Sequence, residues 1–326
     1  MKKKSVLLTV LLLVGAIIVV YAIPGLAAPA KFPTKPIAIV VPYSAGGGTD
    51  LQARALSSVA NNYFGQPVVV VTKSGGGGAV GAAYVAQSKK NGYTLLYAVP
   101  AVIVIKPYMV KTPYKFEDLV PVIRVNDAPR ILSVGSKQPW KTLEELLDYA
   151  KKNPGAVKYG SAGPGTTTHI AMEGFAYAAG IKLTHVPFRG CAKAQAALLG
   201  GHVAMFGGIP SELYQYIDAG TTRALAVFSK ERLPHLPDVP TLIEKGINFS
   251  DSSTRAIFAP KGTPPEIKQA LHDGFKKAME DKSFIALFKK LAEPVAYMSG
   301  DELKKLLEEQ KVFYGEVLEK VGLRAR

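Results

Sequence analysis

The chain has 326 residues, of which 40 are Lys or Arg, 25 are Asp or Glu and one is Cys, giving a formal net charge of +15. Hydrophobic residues make up 48% of the chain, which is enough to build packed cores and excludes a disordered polypeptide. A single cysteine excludes an internal disulfide and a cysteine-rich zinc site, while the charge predicts an anionic partner such as nucleic acid, a membrane surface or small acids.

The first predicted element is a secretory signal at residues 1–30. Three lysines at positions 2–4 precede an apolar run from Val6 to Ile23, and a small-residue stretch ending at Ala30 supplies an Ala-x-Ala-like cleavage site. The apolar run is close to the length of a membrane-spanning helix, so an uncleaved anchor remains the alternative. Both interpretations predict that the rest of the chain is periplasmic or otherwise extracytoplasmic.

Beyond this segment, strand-like runs alternate with helix-like runs. Strands are predicted at Ile37–Val41, Val68–Val71, Tyr93–Val99, Val157–Gly160, Lys182–Val186, Val203–Phe206 and Arg223–Phe228. Helices are predicted at Asp50–Tyr63, Val80–Lys89, Lys141–Lys152, Thr168–Ala179, Pro265–Glu280, Ser283–Leu291 and Gly300–Val321. The alternation predicts an α/β fold with mostly parallel sheets, and the length favours two domains. Because no flexible linker is present, strand crossovers at Val122–Leu132 and Asp251–Phe258 are expected to join the domains.

Three of the predicted strand-to-helix turns are rich in glycine. They are Pro42–Asp50, Ser74–Gly81 and Tyr159–His169. Glycine lets the backbone approach a ligand closely, and a helix N-terminus offers unpaired N–H donors at the positive end of the helix dipole. In open α/β sheets such turns lie at the carboxyl ends of strands, where ligands bind. The three turns together predict a site for an anion.

The second turn also matches the dinucleotide-binding pattern G-x-G-x-x-G at Gly76, Gly78 and Gly81. A dinucleotide site needs an acidic residue about 20 positions later to bind the ribose. No Asp or Glu occurs from Leu51 to Phe116, a stretch that contains seven Lys or Arg residues. A nucleotide-dependent enzyme on the same scaffold therefore remains only as the alternative function.

Several polar residues have both a functional and a structural interpretation. Asp50 is expected either near a ligand or as a first-turn acid stabilised by the helix dipole. His169 and Glu173 have i, i+4 spacing, which favours a pair on one helix face over a metal site, since no third ligand is evident. Cys191 with His185 lacks an orienting third group, so a packed thiol is expected rather than a nucleophile.

Three arginines could clamp a carboxylate through two parallel hydrogen bonds: Arg130, Arg189 and Arg255. For each of them a surface salt bridge is the simpler interpretation. Arg255 is the favoured clamp because it lies on the second crossover, where the two domains meet.

The ordered motifs of the chain resemble the Bug/TctC-like family, the extracytoplasmic solute receptors of tripartite tricarboxylate transporters. The matching motifs are Phe32-Pro-x-Lys-Pro-Ile37, Val41-Pro-Tyr-x-x-Gly-Gly-Gly-Thr-Asp50, Gly65-Gln-Pro-Val-Val-Val70, Gly92-Tyr-Thr-Leu-Leu96, Tyr159-Gly-Ser-Ala-Gly-x-Gly-Thr-x-x-His169, His185-Val-Pro-Phe-Arg-Gly190, Arg223-Ala-Leu-Ala-Val227, Leu236-Pro-Asp-Val-Pro-Thr241 and Ala259-Pro-x-Gly-Thr-Pro-Pro265. Each motif is modest alone, but the ordered set covers nearly the whole chain after the signal.

The resemblance implies a type II periplasmic-binding-protein (Venus-flytrap) fold, in which two lobes close on a carboxylate without catalysis, metal or cofactor. The implied boundaries place residues 31–126 and 250–326 in lobe 1, and residues 127–249 in lobe 2. The implied ligand-binding residues are Tyr43, Ser44, Gly47, Gly48, Thr49, Asp50, Gly78, Ala79, Ser161, Gly163, Thr166, Thr167, Pro210 and Ser211, to which the crossover argument adds Arg255. The implied partners are the large and small membrane subunits of a transporter.

Four departures from the family pattern bear on the ligand. Gly207-Gly208 replaces a frequent Asp-Asn pair, Ala98–Ile103 is apolar where small polar residues are common, Thr254 replaces a frequent Trp, and Cys191 replaces a Gly. Loss of an acid and gain of apolar walls disfavour a ligand that carries an amine. We therefore expect a mono- or dicarboxylate with an apolar portion.

The excess of basic residues is then interpreted as a field that attracts small anions rather than nucleic acid. A monomer is expected. A receptor that serves a sensor kinase rather than a transporter is left open, since residues alone do not distinguish the two roles.

Overall fold

The computed structural model describes residues 32–320 and 322–324, so the predicted signal at residues 1–30 lies outside the described residues. The chain divides into Met1–Thr34 and a larger unit, Lys35–Arg326, which contains both β-sheets. Over the described residues, no helix combines the length and the apolar character needed to cross a membrane.

The described strands are numbered in chain order. They are β1 (Ile37–Val41), β2 (Val68–Thr72), β3 (Thr94–Ala98), β4 (Leu119–Pro129), β5 (Ile131–Gly135), β6 (Lys158–Ser161), β7 (Thr184–Pro187), β8 (Met205–Gly208), β9 (Thr222–Val227), β10 (Ser252–Pro260) and β11 (Val295–Ser299). The described α-helices are α1 (Gly48–Phe64), α2 (Ala79–Ala86), α3 (Ala101–Val104), α4 (Lys106–Met109), α5 (Leu143–Lys152), α6 (Thr167–Ala178), α7 (Cys191–Leu199), α8 (Pro210–Asp218), α9 (Pro265–Glu280), α10 (Lys282–Lys290) and α11 (Gly300–Lys320).

The strands form two sheets, which define two lobes. The first sheet has the order β11-β4-β10-β3-β1-β2, and the second has the order β7-β6-β8-β5-β9. The predicted two-lobed α/β architecture is therefore confirmed. Parallel pairing is confined to the βαβ units, whereas β4, β5, β10 and β11 pair antiparallel with their neighbours. The sheets are thus more mixed than predicted, because strands that carry the chain between lobes enter each sheet from the opposite direction.

Most predicted elements differ from the observed ones by a few residues at their ends. The end of helix α1 is set by the residue that follows it. Gly65 follows its last turn with φ +62° and donates its N–H to the Asn61 carbonyl, a left-handed C-cap that glycine adopts without steric cost. Strand β11 and helices α3, α4, α7 and α8 have no counterpart among the predicted elements. The single-turn helices α3 and α4 are too short to show a periodic pattern.

The chain passes between the sheets twice, and a buried ion pair joins the two passages. Arg130 separates β4 from β5, and Asp251 precedes β10. Arg130 Nε lies 2.8 Å from Asp251 Oδ2, and the two side chains are 1% and 7% exposed. Tyr314 of α11 donates a hydrogen bond of 2.9 Å to Asp251 Oδ1. The predicted crossovers are confirmed, whereas the lobe boundaries at 126/127 and 249/250 stay predictions.

The lobes also share apolar contacts. Ile170 of α6, in the second lobe, belongs to the same buried cluster as Ala101, Val104 and Ile105 of the first lobe. Phe249, which belongs to the core of the second lobe, stacks on Phe313 of α11 at a centroid distance of 6.4 Å. The two lobes are therefore in direct apolar contact at these positions.

Candidate functional site

The first glycine turn connects β1 to α1 and is held in shape by Asp50. The Asp50 Oδ2 atom accepts hydrogen bonds of 2.9 Å from the Gly46 N–H and from Arg54 Nε. Burial alone raises the pKa of this carboxyl, but these two donors outweigh burial, so its pKa lies below the ordinary value. Asp50 thus points into its own turn, while Ser44 and Gly47 are exposed at the turn surface.

Arg255 lies at the N-terminus of α1. Its Nε is 3.5 Å from Thr49 Oγ1, and its Nη2 lies 3.9 Å from the point where a Cβ on Gly48 would sit. The side chain is buried, and its Nη1 donates to Asn126 Oδ1 at 3.2 Å. Because unpaired N–H groups and the positive end of the helix dipole also face this point, the guanidinium and α1 together favour a negative charge there.

The second glycine turn lies against the first. A Cβ on Gly78 would come within 3.3 Å of the Tyr43 ring and within 3.4 Å of its hydroxyl oxygen. Burial raises the pKa of the Tyr43 phenol, although the nearby Arg255 opposes the rise, so this hydroxyl stays protonated at neutral pH. Tyr43 can therefore donate a hydrogen bond beside the Arg255 guanidinium.

Gly81, the third glycine of the G-x-G-x-x-G pattern, is required by packing and not by a bound nucleotide. A Cβ at this position would lie 2.7 Å from Pro42 Cβ and 2.8 Å from the Lys73 carbonyl oxygen. Because Gly81 has no side chain, α2 packs directly against Pro42 of the first turn. The third glycine of the dinucleotide-binding motif allows a similar close approach of helix and strand.

Replacing Gly81 by alanine should reduce the free energy of unfolding by about 1–3 kcal/mol, because backbone atoms of the two turns must move apart. Urea unfolding of the purified protein measures the change. Val80→Ala is the matched control, since Val80 is 52% exposed on the same helix and should change stability by about 0.5 kcal/mol or less. Equal effects of the two substitutions would contradict the packing role of Gly81.

The glycine turn of the second lobe is a closed hydrogen-bond network. Ser161 Oγ accepts the Gly163 N–H at 3.1 Å, and Thr166 Oγ1 donates to the Gly163 carbonyl at 2.7 Å. Thr168 Oγ1 accepts the Ala162 N–H at 2.9 Å. These bonds fix the loop that leads into α6, so the predicted residues Ser161, Gly163 and Thr166 lie together.

Two stacked histidines support this turn from behind. The rings of His169 and His185 lie 3.9 Å apart, His169 Nδ1 accepts the Gly165 N–H at 3.1 Å, and His185 Nε2 lies 2.6 Å from Ser161 Oγ. Burial, helped by His185, lowers the pKa of His169 to about 3, and burial also lowers the pKa of His185. Both rings are therefore neutral at pH 7, as the acceptor role of Nδ1 requires. Glu173, 4.0 Å from His169 Nε2, accepts a hydrogen bond from Tyr159.

The folded protein should lose stability as the pH falls below about 6.5 towards 3, because the unfolded chain protonates His169 before the folded chain does. For His169 alone the loss is about 2 kcal/mol at pH 5 relative to pH 7. Urea unfolding at the two pH values measures it. His169→Asn should make the pH dependence shallower, since an amide oxygen accepts the Gly165 N–H without titrating. The matched control is His235→Asn, since His235 is exposed and its replacement should leave the slope of the profile unchanged. If the His169→Asn profile is as steep as that of the unaltered protein, His169 is not the cause.

Contacts between the lobes reach the Arg255 region. Ser211, in the first turn of α8, donates a hydrogen bond of 2.6 Å to Glu293 Oε1. The other Glu293 oxygen accepts from Asn126 Nδ2 at 3.0 Å and lies 3.9 Å from Arg255 Nη1. Thr167, at the start of α6, lines a small cavity of about 20 Å³ together with Thr254. Ser211 of the second lobe is therefore linked through Glu293 to the Arg255 region of the first lobe.

The structure separates the three arginine candidates. Arg130 is turned towards Asp251 and donates from Nη1 to the Gly207 carbonyl at 2.8 Å, whereas Arg189 is exposed. Of the three, Arg255 is the one whose guanidinium lies at the N-terminus of α1. The Cys191 thiol is half-buried, and burial raises its pKa, which fits a packed thiol.

Sequence reasoning missed Glu293, Asn126 and Lys106. The first two lie outside every glycine turn and meet Arg255 only through tertiary folding. Lys106 was counted among the seven basic residues of the acid-free stretch, which was a signal, but nothing in the sequence places its side chain at the cleft.

Comparison with known proteins gives matches over most of the chain. A family model described as tripartite tricarboxylate transporter family receptor matches residues 52–323. The UPF0065 protein in the gbd 5' region of Cupriavidus necator is 36% identical over 303 residues, covering 93% of this chain and 92% of the relative. Protein BugT of Bordetella pertussis is 33% identical over 323 residues, covering 96% and 98%.

Solved structures give the same result. A TctC solute-binding protein from Polaromonas is 34% identical with a TM-score of 0.76, covering 89% of this chain and all of that chain. Two Rhodopseudomonas palustris proteins are similar as well. The one solved with adipate is 28% identical with a TM-score of 0.79, covering 90% of this chain and 99% of that chain. The one with bound malate is 26% identical with a TM-score of 0.77, covering 88% and 100%. The predicted periplasmic-binding-protein fold is confirmed.

Proposed function

Since the chain belongs to the tripartite tricarboxylate transporter receptor family, we propose that it is an exported solute-binding protein that captures an organic carboxylate between its lobes and delivers it to the membrane subunits of such a transporter. In this role it acts as a monomer without catalysis, cofactor or metal. Residues 1–30 direct export, residues 31–126 and 250–326 form lobe 1, and residues 127–249 form lobe 2.

The observation that carries the proposal is the position of Arg255 at the N-terminus of α1, next to Thr49 and Gly48. A planar guanidinium matches a carboxylate through two parallel hydrogen bonds, and the helix end adds backbone donors. The ligand-binding residues of the proposal are Tyr43, Ser44, Gly47, Gly48, Thr49, Asp50, Gly78, Ala79, Ser161, Gly163, Thr166, Thr167, Pro210, Ser211 and Arg255. Within this set, Asp50 shapes its turn, and the others surround the ligand.

The chemistry of the cleft favours a carboxylate without an amine. The loop before α8 is Gly207-Gly208-Ile209, which carries no acid to neutralise an ammonium group, and Ala101 to Ile105 form a buried apolar wall. An apolar portion of the ligand would lie against that wall. Mono- or dicarboxylates with a hydrocarbon segment fit this description, and a related protein was solved with adipate.

Closure of the lobes supplies the binding mechanism. The hydrogen bond between Ser211 and Glu293 joins the lobes beside Arg255, and the ion pair between Arg130 and Asp251 holds the crossovers about which they move. A ligand that contacts both lobes stabilises the closed arrangement because it binds that arrangement better than the open one.

A thermal-shift screen of residues 31–326 against a panel of carboxylates tests the proposal. A true ligand present at 100 times its dissociation constant should add about 2.7 kcal/mol of stability. Nucleotides and amino acids belong in the same screen. A shift with a nucleotide and none with any carboxylate would overturn the proposal, and tight binding of free aspartate or glutamate alone would overturn the ligand class.

A further inference from the structure

Lys106 begins α4 and extends its side chain between the two lobes. Its Nζ lies 2.9 Å from the point where a Cβ on Gly77 would sit, in the second turn of the first lobe. The same Nζ lies 3.7 Å from the corresponding point on Gly165, in the turn of the second lobe. Met109, one helical turn further along α4, has its Sδ 2.6 Å from that point on Gly165. A side chain on Gly77 would therefore clash with the ammonium group, and one on Gly165 would clash with Met109 beside it.

The Lys106 ammonium has no anionic partner among residues 32–320 and 322–324: no carboxylate lies within ion-pair distance of it, and no hydrogen bond from it is found. It is half-buried, and burial lowers its pKa. A partly desolvated cation is costly unless a negative charge approaches it. Other half-buried cations of the described residues have partners: Lys311 pairs with Glu117 at 2.8 Å, Lys73 lies over the Tyr84 ring, and Arg223 donates to the Trp140 carbonyl.

A chain of contacts links this ammonium to the Arg255 site. Arg255 borders Gly48, Tyr43 of the same first turn borders Gly78, and Gly78 follows Gly77, which Lys106 borders. Tyr43 therefore lies between two cationic positions along the cleft. A ligand held by one carboxylate at Arg255 and extending past Tyr43 would bring its other end to Lys106.

We propose that Lys106 is a specificity-determining residue that binds the second anionic group of a dianionic ligand, specifically the distal carboxylate of an α,ω-dicarboxylate. The proposal rests on the proposed carboxylate-binding function and names the residue that separates dicarboxylates from monocarboxylates. Because Lys106 touches turns of both lobes, the same ion pair also favours the closed arrangement of the cleft.

Isothermal titration calorimetry of residues 31–326 with linear α,ω-dicarboxylates of three to eight carbons, and with the monocarboxylates of equal length, tests this inference. The unaltered protein should bind at least one dicarboxylate about tenfold or more tightly than its monocarboxylate counterpart. Lys106→Gln should remove most of that preference while changing monocarboxylate affinity little. Lys106→Arg, which keeps the charge, should retain much of it.

Lys111→Gln is the matched control, because Lys111 is exposed five residues further along and its loss changes the net charge equally. It should keep the dicarboxylate preference. If Lys106→Gln folds with an unchanged melting temperature and keeps the preference, or if the unaltered protein shows no preference, the inference is overturned while the carboxylate receptor stands. If the unaltered protein binds no carboxylate of either series, the proposed function itself fails.

Discussion

Carboxylate affinity should fall about 30-fold or more when Arg255 is replaced by alanine. Truncating one partner of a buried, hydrogen-bonded charge pair typically costs 2–5 kcal/mol, and about 1.4 kcal/mol corresponds to a factor of ten. Arg255 is 6% exposed and lies beside Thr49 at the N-terminus of α1, so its charge acts where water screens it little. Calorimetric titration with the ligand found by the thermal-shift screen measures the change.

Two further variants test whether the two parallel donors of the Arg255 guanidinium matter in addition to its charge. Arg255→Lys keeps the positive charge but lacks the planar pair of donors, so it should recover only part of the affinity. Arg232→Ala removes an exposed arginine, 45% exposed and paired with Glu244, and should leave affinity unchanged. Circular dichroism must show that Arg255→Ala is folded, since the substitution leaves Glu293 with Asn126 and Ser211 as its neighbours. A folded variant with an unchanged dissociation constant would remove Arg255 from the site.

The free energy of unfolding should fall by about 3–5 kcal/mol when Asp251 is replaced by alanine, because the substitution leaves the Arg130 guanidinium buried without its counter-ion. Arg130 is 1% exposed, its Nη2 already lacks a hydrogen-bond partner within the described residues, and Tyr314 would lose its acceptor as well. Urea unfolding at pH 7 measures the loss.

The matched control is Asp301→Ala, which breaks an ion pair with Lys268 whose carboxylate is 85% exposed, and which should cost about 1 kcal/mol or less. The double variant Arg130→Met with Asp251→Ala should be more stable than Asp251→Ala alone, since it removes the unpaired charge. Equal losses in Asp251→Ala and Asp301→Ala would show that the buried pair does not hold the crossovers.

The sequence alone determined the elements that depend on local chemistry. Helix α9 was predicted at Pro265–Glu280 and lies there, because a proline-rich segment followed by Glu266 marks its first turn. The three glycine turns were found for the same reason: only glycine tolerates the close approaches at positions such as Gly81. The ordered motifs also identified the family, which the comparisons confirm.

The tertiary structure decided which charges meet. Asp50 had two interpretations in the sequence, and only the folded turn shows its carboxylate bound to Gly46 and Arg54. The sequence favoured Arg255 among three candidate arginines only by its place on a crossover, and the folded structure shows Arg130 paired with Asp251 and Arg255 at the N-terminus of α1.

The contacts of Lys106 and Glu293 join segments far apart in sequence, so no local pattern encodes them. Lys106 meets Gly165 across the cleft, and Glu293 meets Ser211 more than 80 residues away. Propensity and capping act over a few residues, whereas the distances between charges in the cleft are set by how two packed lobes close on each other. The basic excess that the composition revealed therefore predicted an anion, and the fold decided that Arg255 and Lys106 lie beside glycine turns of the cleft.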